Sequence, residues 1–229
     1  MNWLNQKIAV AYGGFGAEAD VSRSAKAGVV SAMNQLGISP IEIDVKDGLI
    51  DQVLQHRPDR VFNLVHGQYG EDGILQGVLC ALDIPFTGSG LSASALTLDK
   101  PRTKQIWESM GLPTSPMVVV NDLDQAKICI KRLGDHLFVK PAREGSSIGA
   151  HPVLGLDQLV DALEDALTHD THALVEPLLP GPEFTVGILK GLALPVICIE
   201  STNAFYNYEA KYQSNATKYL IPSGLENEQ

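Results

Sequence analysis

The chain has 229 residues, of which 45% are hydrophobic and 19% are charged, and its formal net charge is −10 at pH 7. These values are typical of a globular protein with one large domain or two to three small ones. The negative charge argues against a sequence-independent nucleic-acid binder, because such binding needs a basic surface. No apolar run reaches the length of a membrane span and no signal-peptide pattern is present, so we expect a cytoplasmic protein. The cysteines, which we predict to be buried thiols, are Cys80, Cys129 and Cys198.

Strand and helix patterns alternate along the first part of the chain. Apolar runs predict strands over residues 7–12, 41–43, 61–65 and 84–86, and amphipathic runs predict helices over residues 22–36, 49–56 and 75–82. This order predicts a parallel sheet with helices on both faces. Ligands gather at the carboxyl ends of such strands, where Gly13 and His66 follow the first and third strands.

The second part of the chain predicts a smaller α+β unit. Residues 88–93 mimic a dinucleotide fingerprint but come too late in the chain, and we interpret them as a strand-to-helix turn. The predicted helices are 99–110, 124–133 and 157–167, and the predicted strands are 118–120, 137–140 and 173–176. Residues 183–189 and 194–199 predict an antiparallel pair, and residues 203–229 predict a long loop interrupted by a short strand at 219–221.

The segment 140–149 (KPAREGSSIG) directly follows a predicted strand. A lysine supplies a point charge, glycine lets backbone N–H groups approach closely, and serine adds hydroxyl donors, as a polyphosphate site requires. No Walker loop is present, and a Gly/Ser loop after a strand is by itself more often a plain turn. The nearby segment 169–172 (HDTH) could suggest a metal site, but it lies in a polar turn without further ligands, and we interpret it as solvent-exposed.

Seven motifs in one order carry a resemblance to a known family. They are residues 13–22 (GGFGAEADVS), 66–73 (HGQYGEDG), 88–90 (GSG), 99–104 (DKPRTK), the 140–149 loop, 181–185 (GPEFT) and 208–212 (YEAKY). The series resembles the D-alanine–D-alanine ligases, which are ATP-grasp enzymes of peptidoglycan precursor synthesis. The resemblance implies an α/β fold with a substrate-binding domain over residues 1–88, a central ATP-grasp domain over 89–179 and the start of a C-terminal ATP-grasp domain over 180–229.

The resemblance also implies a reaction and the residues that carry it. A ligase of this family transfers the γ-phosphoryl group of ATP to a carboxylate, and an incoming amine then attacks the acylphosphate. The positions that match catalytic residues are Glu18, Ser146, Lys211 and Tyr212. Those that match substrate-binding residues are Glu18, His66, Ser146, Tyr206 and Tyr212. Those that match ATP-binding residues are Lys100, Lys140, Gly145, Ser146, Ser147, Glu176, Leu179, Glu183 and Lys211.

Individual roles follow from the same resemblance. Glu18 matches the carboxylate that receives the ammonium of the first D-alanine, and in the family it is hydrogen-bonded with the positions of Ser146 and Tyr212. Lys100 and Lys140 match the lysines that neutralise phosphates. Tyrosine at position 212 is typical of the enzymes that add D-alanine rather than D-lactate. The resemblance further implies a homodimer through the N-terminal region, with no nucleic-acid or membrane partner.

The resemblance implies ATP and Mg²⁺ (or Mn²⁺) as cofactors, but it places the family's metal ligands beyond the position of Gln229. We therefore expect no metal ligand in this chain, and we expect it to be a truncated or incomplete ligase. Two alternatives stay open. The first is a D-alanine–D-lactate ligase or another carboxylate–amine ligase, and the second is a non-catalytic fragment that binds a nucleotide or an amino acid.

Overall fold

The computed structural model describes residues 3–16, 18–201, 205–212, 214 and 216–225. Its first unit is a parallel three-stranded sheet in the order β2-β1-β3. The elements of this unit are β1 (Ile8–Tyr12), α1 (Ala19–Gln35), β2 (Ile41–Asp44), α2 (Leu49–His56), β3 (Arg60–Asn63) and α3 (Ile74–Ala81). The predicted parallel sheet with alternating helices is confirmed, and α1 begins three residues earlier than predicted.

The predicted fourth strand at 84–86 is wrong. Only Phe86 bridges to Val61, and no strand of the described chain covers this segment. Pro85 has no N–H to donate to a ladder; its carbonyl accepts from the Val61 N–H at 3.0 Å, and the Thr87 N–H donates to the Val61 carbonyl at 3.1 Å. The prediction of buried cysteines is also wrong for Cys80, which is exposed. It lies on α3 directly after the buried Leu79, and one residue rotates a side chain by about 100° around a helix.

Two helices connect the first sheet to a second one. These are α4 (Leu91–Leu98), which confirms a turn into a helix near residue 90, and α5 (Lys100–Ser109). Asp99 caps α5 by accepting from the Arg102 N–H, and Pro101 occupies the first turn, where its missing N–H is harmless. The cap fixes where α5 begins and thereby places Lys100 at its first residue.

The second sheet has four antiparallel strands in the order β4-β7-β5-β6. Its elements are β4 (Val118–Val120), α6 (Ala126–Leu133), β5 (His136–Pro141), β6 (His151–Leu154), α7 (Gly155–His169) and β7 (Ala173–Pro177). Leu159 and Leu163 on α7 are fully buried against this sheet. Strand β6 was not predicted, because Pro152 argues against a strand that lies inside a sheet, and β6 is an edge strand.

A third sheet has the strand order β12-β11-β8, with a separate hairpin beside it. The elements are β8 (Glu183–Thr185), β9 (Ile188–Leu189), β10 (Leu192–Ala193), β11 (Ile197–Glu200), α8 (Tyr208–Tyr212) and β12 (Lys218–Leu220). The predicted antiparallel pair is confirmed, but its first strand is split into β8 and β9, and its second strand begins at Ile197, three residues later than predicted. Helix α8 interrupts the predicted loop, of which residues 203, 204, 213, 215 and 226–229 lie outside the described residues.

Within the part of the chain that the structure describes, none of the helices is long and apolar enough to cross a membrane.

Candidate active site

A buried carboxylate lies where the first and second sheets meet. Glu18 precedes α1 and is 5% exposed. Its Oε1 accepts a hydrogen bond from the Ser146 hydroxyl, which comes from the segment 140–149 between β5 and β6. Its Oε2 is buried and has no hydrogen-bond partner among the described residues. A buried, unpaired carboxylate oxygen costs free energy unless a donor reaches it, so this atom is suited to a ligand that brings one.

Two glycines leave the space for that carboxylate. A Cβ atom built on Gly67 or on Gly145 would lie 2.7 Å from Glu18 Oε2, which is too close for a stable contact. Gly67 also has a φ of +63°, which L side chains rarely adopt. The absence of a side chain at both positions therefore lets the loops close on either side of Glu18.

A chain of hydroxyl groups connects Glu18 to α8. The hydroxyl oxygens of Ser146 and Tyr212 lie 2.6 Å apart. Ser146 has one hydroxyl proton and donates it to Glu18, so the Tyr212 hydroxyl donates to Ser146. Burial raises the pKa of Tyr212 above its usual value, which keeps the phenol protonated as a donor. The structure thus brings together the three residues that the resemblance associates.

Ser147 also connects the 140–149 loop to α8. The Ser147 hydroxyl donates to the Tyr206 carbonyl at 2.9 Å, and Lys211 Nζ donates to Ser147 Oγ at 2.9 Å. Ser146 and Ser147 adopt positive φ angles of 50° and 61°, which are uncommon for non-glycine residues and persist where surrounding contacts hold them. The contacts with α8 supply such support.

His66 follows β3 and directly precedes Gly67, one of the two glycines beside Glu18. Its Nδ1 is 3.8 Å from Glu71 Oε1. Burial, followed by the nearby negative charge of Glu18, raises the pKa of Glu71. Burial and Glu18 likewise raise the pKa of Glu144. The surroundings of Glu18 are therefore acidic, which favours a cationic ligand group such as an ammonium.

Two lysines lie beside this centre, one from α5 and one from β5. Lys100 Nζ donates to the Pro141 carbonyl at 3.1 Å and also to the Glu144 carbonyl. Burial, together with the positive charge of Lys140, lowers the pKa of Lys100 to about 8. Lys140 Nζ contacts Glu176 Oε1 at 2.5 Å. Burial disfavours a charged Glu176, but the Lys140 ammonium outweighs it and holds the pKa of Glu176 below its usual value.

The loop is fixed at its start by an ion pair that the sequence did not predict. Arg143 Nε donates to Asp170 Oδ2 at 3.0 Å, and the Asp170 side chain is only 5% exposed. The interpretation of residues 169–172 as solvent-exposed is therefore wrong for Asp170. Burial opposes its ionisation, but the hydrogen bond from Arg143 outweighs this and lowers the pKa of Asp170. Only spatial proximity reveals this pair, because the partners are 27 residues apart.

A single cleft of about 560 Å³ collects the predicted nucleotide positions. Burial varies among them, since Glu176 is half-buried whereas Leu179 and Glu183 are exposed. Phe138 and Phe205, which were not predicted, also line the cleft and meet edge to face with ring centroids 5.7 Å apart. All nine predicted positions line it: Lys100, Lys140, Gly145, Ser146, Ser147, Glu176, Leu179, Glu183 and Lys211.

Comparison with known proteins decides the family. Residues 106–229 match the family described as D-ala D-ala ligase C-terminus, and residues 46–89 match D-ala D-ala ligase N-terminus. The chain is 45% identical over 220 residues to the D-alanine–D-alanine ligase of Pseudomonas entomophila, which covers 96% of this chain and 69% of that protein. The chain belongs to the D-alanine–D-alanine ligase family.

Solved structures of D-alanine–D-alanine ligases share the fold. The enzyme from Bacillus anthracis has a TM-score of 0.77 and 30% sequence identity, and the match covers 94% of this chain and 71% of that one. The structure of the Bacillus anthracis enzyme complexed with ATP has a TM-score of 0.75 and 27% identity, and covers 94% of this chain and 70% of that one. The predicted ATP-grasp fold is thereby confirmed.

The described residues offer no ligand set for the Mg²⁺ or Mn²⁺ that the resemblance implies. Among these residues, no group of three or more His, Cys, Asp or Glu side chains is arranged to hold a metal ion.

Proposed function

We propose that this chain performs the ATP-dependent ligation of two D-alanines through a D-alanyl phosphate, as expected for a ligase that supplies peptidoglycan precursors. The observation that carries the proposal is the unpartnered, buried Oε2 of Glu18, directly beside a cleft lined by cationic and hydroxyl side chains. Glu18 suits an ammonium group, and the cleft suits a polyphosphate. Ligation needs both within reach of each other.

The nucleotide side of this proposal rests on charge and shape. Lys100, Lys140 and Lys211 all line the cleft, and transfer of a phosphoryl group depends mainly on positioning and on stabilising negative charge. We propose that ATP occupies the cleft with its phosphates toward Lys100 and the serine-containing loop. The adenine then lies toward Glu176 and Leu179, and the ribose toward Glu183. ATP supplies the phosphoryl group when bound.

The amino-acid side rests on Glu18 and its neighbours. The ammonium of the first D-alanine would donate to Glu18 Oε2, and Ser146 would keep the other carboxylate oxygen in place. Tyr212 fixes Ser146 in turn, so both hydroxyls act as positioning groups. His66 and Tyr206 complete the set of proposed substrate positions.

Four further properties stay predictions. They are homodimerisation through the N-terminal region, use of Mg²⁺ or Mn²⁺, the cytoplasmic location and the three-domain division.

The test of this function is the release of ADP from ATP that depends on D-alanine. We expect release with D-alanine and none with L-alanine or without an amino acid, in buffer that contains magnesium. Equal ADP release with D-alanine and with L-alanine would contradict the proposal, because the site would then not distinguish the two enantiomers. Binding of ADP without any turnover would favour the non-catalytic alternative.

The identity of the acceptor that attacks the acylphosphate is a separate question. Tyr212 favours an amine acceptor over D-lactate. We expect D-alanine to exclude D-lactate when both are offered at equal concentration, which mass spectrometry of the products measures. A depsipeptide as the main product would favour the D-lactate alternative.

The affinity for ADP is expected to fall as the pH rises. Because the pKa of Lys100 is lowered to about 8, its ammonium is present at neutral pH and is lost above that value. If the ammonium contributes to binding, affinity falls by up to about tenfold between about pH 8 and pH 9. Calorimetric titrations with ADP across this range check the slope, and Lys100→Met should flatten it. A wild-type profile as flat as that of the variant would exclude a direct role for the Lys100 charge.

A further inference from the structure

A buried lysine lies one helical turn after Lys100 on α5. The Lys104 side chain is 7% exposed, whereas lysine is seldom buried in proteins unless it is paired. Its Nζ donates to the hydroxyls of Thr114 at 2.8 Å and Ser115 at 2.9 Å, and to Glu176 Oε2 at 3.0 Å. All three of its ammonium protons therefore have acceptors. Lys104 is not among the residues that line the nucleotide cleft, and it lines a neighbouring cavity of about 360 Å³ that shares Lys140 and Glu176 with the cleft.

Glu176 is shared between two cations. Its Oε1 contacts Lys140, which does line the cleft, and its Oε2 accepts from Lys104 and from Ser115 at 3.0 Å. Two positive charges and one negative charge give this group a net charge of one positive unit. Without Lys104, Glu176 and Lys140 would form a neutral pair.

We propose that Lys104 is a positioning residue that neutralises Glu176 and so leaves the charge of Lys140 available to an anionic ligand. This inference rests on the proposed function, because it assigns the ligand as a nucleotide. Lys104 also fixes the direction of the Glu176 carboxylate by holding one of its oxygens. It thereby acts on the nucleotide through Glu176 and Lys140.

The physical argument is one of charge balance at low exposure. The side chains of Glu176 and Lys104 are 13% and 7% exposed, so solvent screens their interaction weakly. A carboxylate with a single cationic partner holds that cation firmly, and an incoming phosphate must compete with it. Lys104, at the Oε2 oxygen of Glu176, weakens the hold of Glu176 on Lys140, so a phosphate can attract Lys140 more easily. The hydroxyls of Thr114 and Ser115 keep Lys104 on the side away from the cleft.

Four proteins test the proposal by their affinity for ADP: the wild type, Lys104→Met, Glu176→Gln and the double variant. We expect Lys104→Met to weaken ADP binding about tenfold, which corresponds to about 1.4 kcal/mol. In the Glu176→Gln background, where no negative charge needs balancing, we expect the same substitution to change affinity less than about threefold. Adenosine, which carries no phosphate, should lose much less affinity than ADP when Lys104 is replaced by Met. Lys127→Met, at an exposed position of α6, is the matched control and should match the wild type.

The outcomes separate a positioning role from a structural one. An equal loss of affinity in both backgrounds, or no loss in the wild-type background, would overturn the proposal. Lys104→Gln serves as a second neutral variant if Lys104→Met does not fold, with folding checked by circular dichroism. If the wild type binds no ADP, the proposed function fails. A carbon NMR titration of Glu176 without nucleotide still tests the inference, since Lys104→Met should raise the pKa of Glu176. An unchanged titration would refute it.

Discussion

Glu18→Gln is expected to lose D-alanine binding while it keeps nucleotide binding. The substitution removes the negative charge that would pair with the ammonium, and truncating one partner of a buried charge pair costs about 2–5 kcal/mol, or at least about thirtyfold in affinity. The amide retains the size of the side chain and an oxygen for Ser146. Calorimetric titration of the wild type and of Glu18→Gln with D-alanine and with ADP measures the two affinities separately.

The control for this prediction is a carboxylate close by in sequence. Asp20 lies on the first turn of α1, with a side chain that is 92% exposed. Asp20→Asn should therefore leave both affinities within about twofold of the wild type, as is usual for surface substitutions. Equal losses of D-alanine and ADP binding in Glu18→Gln would indicate a general disturbance of the site and contradict a specific role for Glu18.

Gly145→Ala is expected to reduce D-alanine use strongly without unfolding the protein. The added Cβ would lie 2.7 Å from Glu18 Oε2 and 3.1 Å from Oε1, so the carboxylate must move. These atoms end a flexible side chain, and Gly145 is not among the residues with positive φ, so the backbone can accept alanine. A displacement of about 1 Å at a reacting centre can cost about a hundredfold in rate. Steady-state kinetics with D-alanine as the varied substrate measures the loss.

Two further variants separate displacement of Glu18 from other effects of the alanine. Glu18→Asp combined with Gly145→Ala shortens the carboxylate side chain and makes room for the methyl group, so activity should recover partly relative to Gly145→Ala alone. Gly28→Ala is the matched control, since a Cβ there meets no atom within 4 Å and the residue lies within α1. It should leave activity unchanged. A fully active Gly145→Ala would show that Glu18 need not occupy its present position.

Periodicity predicted the central elements of the fold well, because apolar runs and amphipathic helices depend on local sequence. The buried run of β1 and the apolar face of α7 are examples, since each is specified by which residues must leave water. Strand β6 and the split of the predicted strand 183–189 into β8 and β9 were not predictable in this way. Whether a segment with a proline, or one of only two residues, forms a strand depends on the neighbouring strands rather than on its own sequence.

The motifs predicted individual residues of the candidate site. They did not predict the ion pairs between residues that are far apart in the sequence. The resemblance named Lys140 and Glu176, whose direct contact is an outcome of the β5–β7 pairing. The role of Lys104 was not predicted, although its four-residue spacing from Lys100 places both on one face of α5. The pairing of Arg143 with Asp170 depends on where α7 ends, which no local pattern encodes.

The central claim, that a carboxylate is activated by ATP before an amine attacks it, is tested most directly by following oxygen atoms. D-alanine labelled with heavy oxygen in its carboxylate is incubated with the protein, ATP and magnesium. The carboxylate oxygen forms a bond to the γ-phosphorus, and attack by the second amine releases it on inorganic phosphate. The account predicts one labelled oxygen in each phosphate released, in equal amount with the dipeptide and ADP. Phosphate without label, or no phosphate released in the presence of D-alanine, would contradict it.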